Sequence, residues 1–405
     1  MGEVAMCMPL ENFLNMIPRV KSCPSWNATG ENEGIEAITF DGAPRGGQKT
    51  KIFAYLGFPK NAEGPVPGVV LVHGGGGVPF LPWVKQWNDR GYAAIAMSTT
   101  GEFPRQVNAG FKEGGQHPEF FARGMWGEFC EDGYIDAPDN DNMSNSEQQF
   151  DEQWMYHAVS GVILSHNILR QDARVDREKI GICSVSWGGV ITSIAIGYDD
   201  RFAFAVPIYG SGYLTESMGF VGDYFKTGKN PELWLAEHRF DRVKIPILWQ
   251  CDNADAPFSM NSNSKSYLET RKNEPKTRFS AVYQMKHSHR CAWARPEPIA
   301  FADWICKEGE GFPEIKVEEK LQILPNDANI VSLRLFYLSE PMSYGSGAEG
   351  EWNWKMKQEW QFKDLSLKNG EEEFSVTDEM KGYYFELTAK VGNEEVVVTT
   401  QYFEK

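Results

Sequence analysis

A chain of 405 residues with 41% hydrophobic and 13% aromatic content can bury a sizeable core, and its length fits two domains or one large α/β domain with an appendage. Its 56 acidic against 40 basic residues give a formal charge of −16, which repels phosphate backbones and anionic membrane surfaces and argues against a nucleic-acid partner. No apolar run reaches the roughly eighteen residues of a membrane span.

Met1 to Val20 carries Glu3 and Glu11 and lacks a basic start before an apolar block, so it does not read as a signal peptide. A cytoplasmic location is expected for the chain as written, and a periplasmic or secreted one where a native signal has been removed. The seven cysteines, at 7, 23, 130, 183, 251, 291 and 306, are odd in number and widely spaced, which predicts buried thiols rather than a disulfide framework. Residues 1–34, with Pro18, Pro24 and a polar stretch from Asn27, read as a lead-in of a short helix and a loop. Ile35 to Phe40 and Lys51 to Phe58 are strand-like around a Gly46-Gly47 turn and predict an antiparallel hairpin at a sheet edge.

Val66 to Val72 is largely apolar and empties into His73-Gly74-Gly75-Gly76-Gly77, the pattern of a strand buried on both faces that ends in a glycine loop. A helix over Trp83 to Arg90 and a strand over Tyr92 to Met97 complete a β-α-β unit. Consecutive glycines let backbone N–H groups face an anion unobstructed, as an oxyanion hole requires. The competing phosphate-loop reading lacks a Gly-Lys-Ser/Thr ending and a G-x-G-x-x-G fingerprint. His73 reads as a residue that orients this loop rather than one that transfers protons.

Residues 99–150 are long and rich in Gly, Pro, Asn and Asp, with aromatics at Phe103, Phe111, Phe120, Phe121, Trp126, Phe129 and Tyr134; they read as a lid or rim, or as rings packed on the domain. Asp139, Asp141, Ser144 and Glu147 faintly resemble a calcium loop but lack the glycine it needs. Apolar residues at helical spacing predict an amphipathic helix over Gln153 to Arg170. A polar connector, Val175 to Lys179, leads to a strand over Ile180 to Cys183. There Gly181-Ile182-Cys183-Ser184-Val185-Ser186-Trp187-Gly188-Gly189 matches a nucleophile elbow, a tight strand-to-helix turn that exposes a serine hydroxyl, with Ser186 as the nucleophile. Gly188 fills the downstream small position. Ser184 stands upstream where the pattern has glycine.

Further strands are expected at Phe202 to Tyr209, Ile245 to Gln250 and Arg278 to Met285, with a closing helix at Pro298 to Lys307. This alternation predicts an α/β fold: a doubly wound, mostly parallel sheet over residues 35–311, with its site at the carboxyl ends of the strands. Beyond Pro313 the pattern changes to strands alone, and residues 312–405 are expected to form a separate immunoglobulin-like β-sandwich. From Pro313 on, 18 acidic and 10 basic residues make polyanion binding implausible. Trp352, Trp354 and Trp360 could stack on sugar rings, though tryptophans alternating along a strand also fill a core or a domain interface.

Acyl transfer by serine needs a nucleophile, a base, a carboxylate to orient the base, and oxyanion donors. Ser186, Asp255 and a histidine follow successive strands in the order Ser, Asp, His, which is that of α/β-hydrolases. Asp255 competes with Asp252, which lies closer to its strand. Of His287 and His289, His289 is preferred as the base because His287 leaves the strand almost at once. His287, His289 and Cys291 also admit a metal reading, but no carboxylate cluster or second Cys/His group accompanies them; no metal and no cofactor is expected.

Val69 to Gly77, Arg90-Gly91-Tyr92-Ala93-Ala94-Ile95-Ala96-Met97, the Ser-Trp-Gly-Gly elbow, Tyr209-Gly210, Leu248-Trp249 and the His-x-His segment together resemble the acetylxylan esterase and dienelactone hydrolase-like branch of the α/β-hydrolases, over residues 45 to 307. The resemblance implies carboxylester hydrolysis, often deacetylation of carbohydrate. Ser186 would attack, His289 act as base, Asp255 orient it, and the N–H groups of Trp187 and Gly75 hold the oxyanion. Ser98 stands where such sequences commonly have an aspartate. The expected partner is a small-molecule or carbohydrate ester. Two alternatives are a peptidase of the prolyl-oligopeptidase kind, for which no propeller repeat precedes residue 45, and a catalytically silent glycan-binding protein.

Overall fold

The structure is a computed structural model that describes residues 8–100, 146–217, 219–325, 327–344, 356–366, 371–372 and 374–405. It divides into two compact units, residues 1–205 with 227–234 and residues 206–226 with 235–405.

The first unit is built on strands β1 (Val20–Ser22), β2 (Glu36–Asp41), β3 (Lys51–Gly57), β4 (Val66–Val72), β5 (Ala93–Met97) and β6 (Val175–Val185), in the order β1-β2-β3-β5-β4-β6. The β2–β3 hairpin is antiparallel, as its pattern predicts, whereas β4 runs parallel to both β5 and β6. Helix α1 (Leu81–Asp89) provides the crossover between β4 and β5. Strand β6 is longer than its apolar part. Val175 begins it, and Asp176 to Lys179 run on as a half-exposed to exposed strand before the buried stretch from Ile180, with a register shift against β4 between Val66 and Gly68.

Helix α2 (Trp154–Gln171) is buried along most of its surface. Gly161 allows this close seat, since a Cβ there would lie 2.9 Å from both Ile52 Cδ1 and Met97 Cε. At its far end His166 Nδ1 bonds Asp199 at 2.8 Å, and Arg201 grips the same carboxylate while donating to the Leu14 carbonyl at 2.7 Å. Asn167 donates to the carbonyls of Phe13 and Met16, so the N-terminal lead-in is tied down by polar bonds as well as by buried Leu10 and Phe13. Helix α3 (Trp187–Ala195) follows β6 directly.

In the second unit β7 (Ala205–Ile208) leads from Val206 into a parallel run with β8 (Leu248–Asp252) and β9 (Arg278–Val282). Helix α4 (Gly219–Lys226) precedes α5 (Asn230–Trp234), which belongs to the first unit; α6 (Met260–Arg271), α7 (His289–Trp293) and α8 (Glu297–Cys306) complete the helices of the second. Then come β10 (Glu314–Val317), β11 (Leu321–Leu324), β12 (Asn329–Leu338), β13 (Gln361–Asp364), β14 (Glu371–Glu372), β15 (Gly382–Val391), β16 (Glu394–Thr399) and β17 (Phe403–Glu404).

The C-terminal strands do not stand apart as a free sandwich. Antiparallel β16 pairs with β9 at Thr399 and Phe279, continuing the order β7-β8-β9-β16-β15-β12-β13, while β10-β11-β14 form a second, three-stranded sheet. Leu321 and Ile323 of the small sheet pack with Leu333, Leu335, Phe385 and Leu387 of the larger one in a shared core. Each such aliphatic side chain contributes about 1.5–3 kcal/mol on burial. Polar anchoring adds to the join: buried Glu297 accepts from Val397 N–H at 2.9 Å and from Gln250 Nε2 at 3.2 Å. Trp360 is buried, in keeping with a core role, whereas Trp352 and Trp354 lie outside the described residues.

Candidate active site

Ser186 and the glycine loop lie in the first unit. Ser186 joins β6 to α3 with φ 59° and ψ −121°. For a non-glycine residue this backbone costs about 1–3 kcal/mol, and it persists only where its surroundings enforce it. Gly188 shows what does so: a Cβ there would lie 2.1 Å from the Val72 carbonyl oxygen and 2.7 Å from that of His73. The first turn of α3 is thus pressed onto the end of β4, and Ser186 takes up the sharp reversal. Ser184 is fully buried and keeps regular parallel register with Val72. The serine fits the strand there without displacing it.

The glycine loop after β4 is held by His73. Its Nε2 accepts the Thr99 N–H at 3.1 Å, which leaves Nδ1–H to donate to the Gly74 carbonyl at 2.8 Å. Burial pushes the His73 pKa down to about 4, so the ring is neutral near pH 7 and serves to staple the loop to the end of β5. Gly75 is required by proximity, since a Cβ would come within 2.8 Å of the Trp187 ring. That ring meets Trp154 edge-on at 5.7 Å, and Trp154 Nε1–H donates to the Thr99 carbonyl at 2.7 Å. Ser98 accepts the Thr100 N–H at 3.3 Å, a turn bond of the kind an aspartate makes. Trp187 opens α3, where first-turn amides have no intrahelical acceptor and the helix dipole favours negative charge.

Asp252, Asp255, His287 and His289 lie in the second unit. Asp252 ends β8 and accepts the Ala254 N–H at 3.2 Å, a turn-capping role. Asp255, 4% exposed, accepts the Phe258 N–H through Oδ1 at 3.3 Å and bonds His287 Nδ1 through Oδ2 at 2.6 Å. A carboxylate on Nδ1 fixes the tautomer and makes Nε2 the basic nitrogen. The imidazole stacks on Tyr209 with centroids 4.4 Å apart and lies 5.5 Å from Phe258. Tyr209, at φ 53°, donates its hydroxyl to the Lys286 carbonyl at 2.6 Å. Burial, with Asp255 and Asp252 nearby, holds that hydroxyl well above its usual pKa and so protonated.

The structure therefore joins Asp255 to His287 and not to the expected His289. Strand β9 ends at Val282 rather than Met285, and Gln284 (φ 57°) and Lys286 (φ 59°) fold the chain back before His287 is reached. His289 is instead the first residue of α7, where Ser288 Oγ caps the Cys291 N–H at 3.1 Å; its ring lies 6.3 Å from Trp293. Among the described residues no group of three His, Cys, Asp or Glu side chains gathers for a metal. The lid aromatics from Phe103 to Tyr134 and the calcium-like Asp139, Asp141 and Ser144 lie outside the described residues. The sequence reading did not single out Tyr209, Phe258 or Trp154 for the site. Tyr209-Gly210 directly after a buried strand is the one signal that could have flagged an aromatic platform.

The family model for the dienelactone hydrolase family matches residues 52–297. A search of the curated proteins finds no match. Among solved structures, the chain is similar to an acetyl xylan esterase from Paenibacillus sp. R4, at 17% identity and TM-score 0.47 over 69% of this chain and 86% of that one. It is also similar to a Mycobacterium tuberculosis puromycin-hydrolyzing peptidase (16%, TM-score 0.45, 71% of this chain and 39% of that one) and to a glucuronoyl esterase from Caldicellulosiruptor kristjansonii (14%, TM-score 0.44, 72% and 80%). Likenesses at this level assign no activity.

Proposed function

The chain belongs to the dienelactone hydrolase family, and from that premise we propose that it is a serine carboxylesterase working through an acyl-enzyme. Ser186 Oγ attacks the acyl carbon while His287 Nε2 takes its proton, and Asp255 holds the imidazole and stabilises the imidazolium. The backbone N–H groups of Gly75 and Trp187 receive the negative charge that develops on the carbonyl oxygen. Collapse of the tetrahedral intermediate breaks the ester C–O bond, and His287 returns the proton to the departing alcohol. Water then attacks the acyl-serine with the same base, which releases the acid and regenerates Ser186. His287 replaces His289 in this scheme because it is the histidine bonded to Asp255.

The observation that carries the reading is Ser186 itself, a non-glycine residue at φ 59° on a strand-to-helix turn that Gly188 lets pack closely against β4. The substrates are small acyl esters, with acetylated carbohydrate the first class to try. Hydrolysis of a chromogenic acetate ester tests this. Ser186→Ala and His287→Ala should each lose about 10³-fold or more in kcat, while His289→Ala stays within a few fold. Equal turnover by wild type and Ser186→Ala would sink the esterase reading, and loss only in His289→Ala would reverse the choice of base. A panel of acetylated oligosaccharides against simple aryl esters then sets the substrate class.

A further inference from the structure

The loop that carries Asp255 is not held by the parallel strands alone. Asn253 Nδ2 bonds the hydroxyl of Tyr384, a fully buried residue of β15, at 2.9 Å. Trp360 Nε1–H donates to the Asn253 carbonyl at 2.9 Å, and Met356 N–H donates to the Ala254 carbonyl at 3.0 Å. Trp360 and Tyr384 meet edge-on at 5.0 Å, so the two side chains that grip Asn253 also brace each other. Asn253 and Ala254 form the short turn that leads from the end of β8 to Asp255. Three of its polar groups are met from sequence positions about a hundred residues or more away.

We propose that Tyr384 and Trp360 are positioning residues for the catalytic acid, and that the C-terminal strands belong to the catalytic machinery rather than forming an independent binding module. This rests on the assignment of Asp255 and His287 as acid and base. Asp255 is itself buried and reaches His287 at 2.6 Å. A backbone shift at Asn253 is transmitted through one intervening residue to a bond with little room to lengthen. The Asn253–Tyr384 bond forms in either orientation of the amide, since the hydroxyl can donate as well as accept. Loosening the turn moves a carboxylate away from the imidazole, so the base is held less firmly in the orientation that proton transfer requires.

The test compares Tyr384→Phe, which deletes the hydroxyl and keeps the ring, and Trp360→Phe, which deletes the indole N–H and leaves a smaller aromatic ring, with Leu333→Ala, which weakens the C-terminal core. For chromogenic acetate hydrolysis, both aromatic variants should lose about ten- to a hundred-fold in kcat with KM within about twofold. Leu333→Ala should melt earlier with kcat and KM as in wild type. If all three variants melt earlier and the two aromatic variants keep the kcat of wild type, the C-terminal strands only stabilise the fold and the inference is overturned. Asp255→Asn separates this from the triad itself: if it turns over like wild type, the acid assignment falls, and if it is inactive while Tyr384→Phe and Trp360→Phe behave as wild type, only the positioning role falls.

Discussion

Replacing Gly188 with alanine tests the elbow through a single methyl group. The new Cβ would lie 2.1 Å from the Val72 carbonyl oxygen, against a comfortable C···O separation of about 3.3 Å. The start of α3 must therefore recede from β4 by about 1 Å, because backbone oxygens at a strand end cannot rotate aside as a flexible side chain can. Overpacking of this kind costs about 1–3 kcal/mol, offset in part by about 0.4–1 kcal/mol from the smaller conformational freedom of the unfolded alanine chain. Ser186 lies two residues upstream and moves with the helix. A displacement of about 1 Å at a reacting group lowers the rate about 10²-fold. Gly188→Ala should therefore unfold at a lower urea midpoint and hydrolyse an aryl acetate about a hundredfold more slowly, with KM little changed. Wild-type midpoint and wild-type kcat together would refute the close packing of α3 on β4 as the source of the elbow.

Three other outcomes are expected. Ser186→Gly removes about 1–3 kcal/mol of backbone strain and adds back about 0.5–1 kcal/mol of glycine's entropy, so it should abolish turnover yet unfold at an equal or higher urea concentration; a large destabilisation would contradict the strain. Burial pushes the pKa of His73 and of His157 down to about 4, so between that value and about 6.5 the unfolded chain binds more protons than the folded one, and stability falls as the pH drops through this window. At pH 5 each histidine accounts for about 2 kcal/mol of that loss, and urea midpoints at pH 7 and pH 5 should show a shallower dependence in His157→Gln than in wild type; equal slopes would contradict it. Tyr209→Phe keeps the stack on His287 but loses the hydroxyl bond to Lys286, and a kcat about tenfold lower is expected; unchanged kcat would remove Tyr209 from the site.

The strand-to-helix turn at Ser186 was legible in the sequence because its constraints are local. A buried strand, four glycines, and a serine between small residues each leave a mark within a few positions, and the structure sets Ser186, Gly75 and Trp187 on that framework. The chain path to the two histidines was not legible, for an equally local reason. The apolar pattern runs on past Val282, while the turns at Gln284 and Lys286 use left-handed backbone on residues that carry no glycine signal. Strand alternation beyond Pro313 marked strands correctly but says nothing about their partners. The pairing of β16 with β9 and the grip of Trp360 and Tyr384 on Asn253 are long-range and invisible to periodicity. Ser184 looked like a departure at the elbow, yet the strand holds it in regular register with Val72.

The most direct test of the central claim is covalent capture of the nucleophile. The chain is incubated with an organophosphonate that reacts only with an activated serine, and the modified peptide is located by mass spectrometry. Labelling at Ser186, lost in Ser186→Ala and strongly slowed in His287→Ala, is the expected result. Labelling elsewhere, or ester turnover that survives in Ser186→Ala, would contradict it.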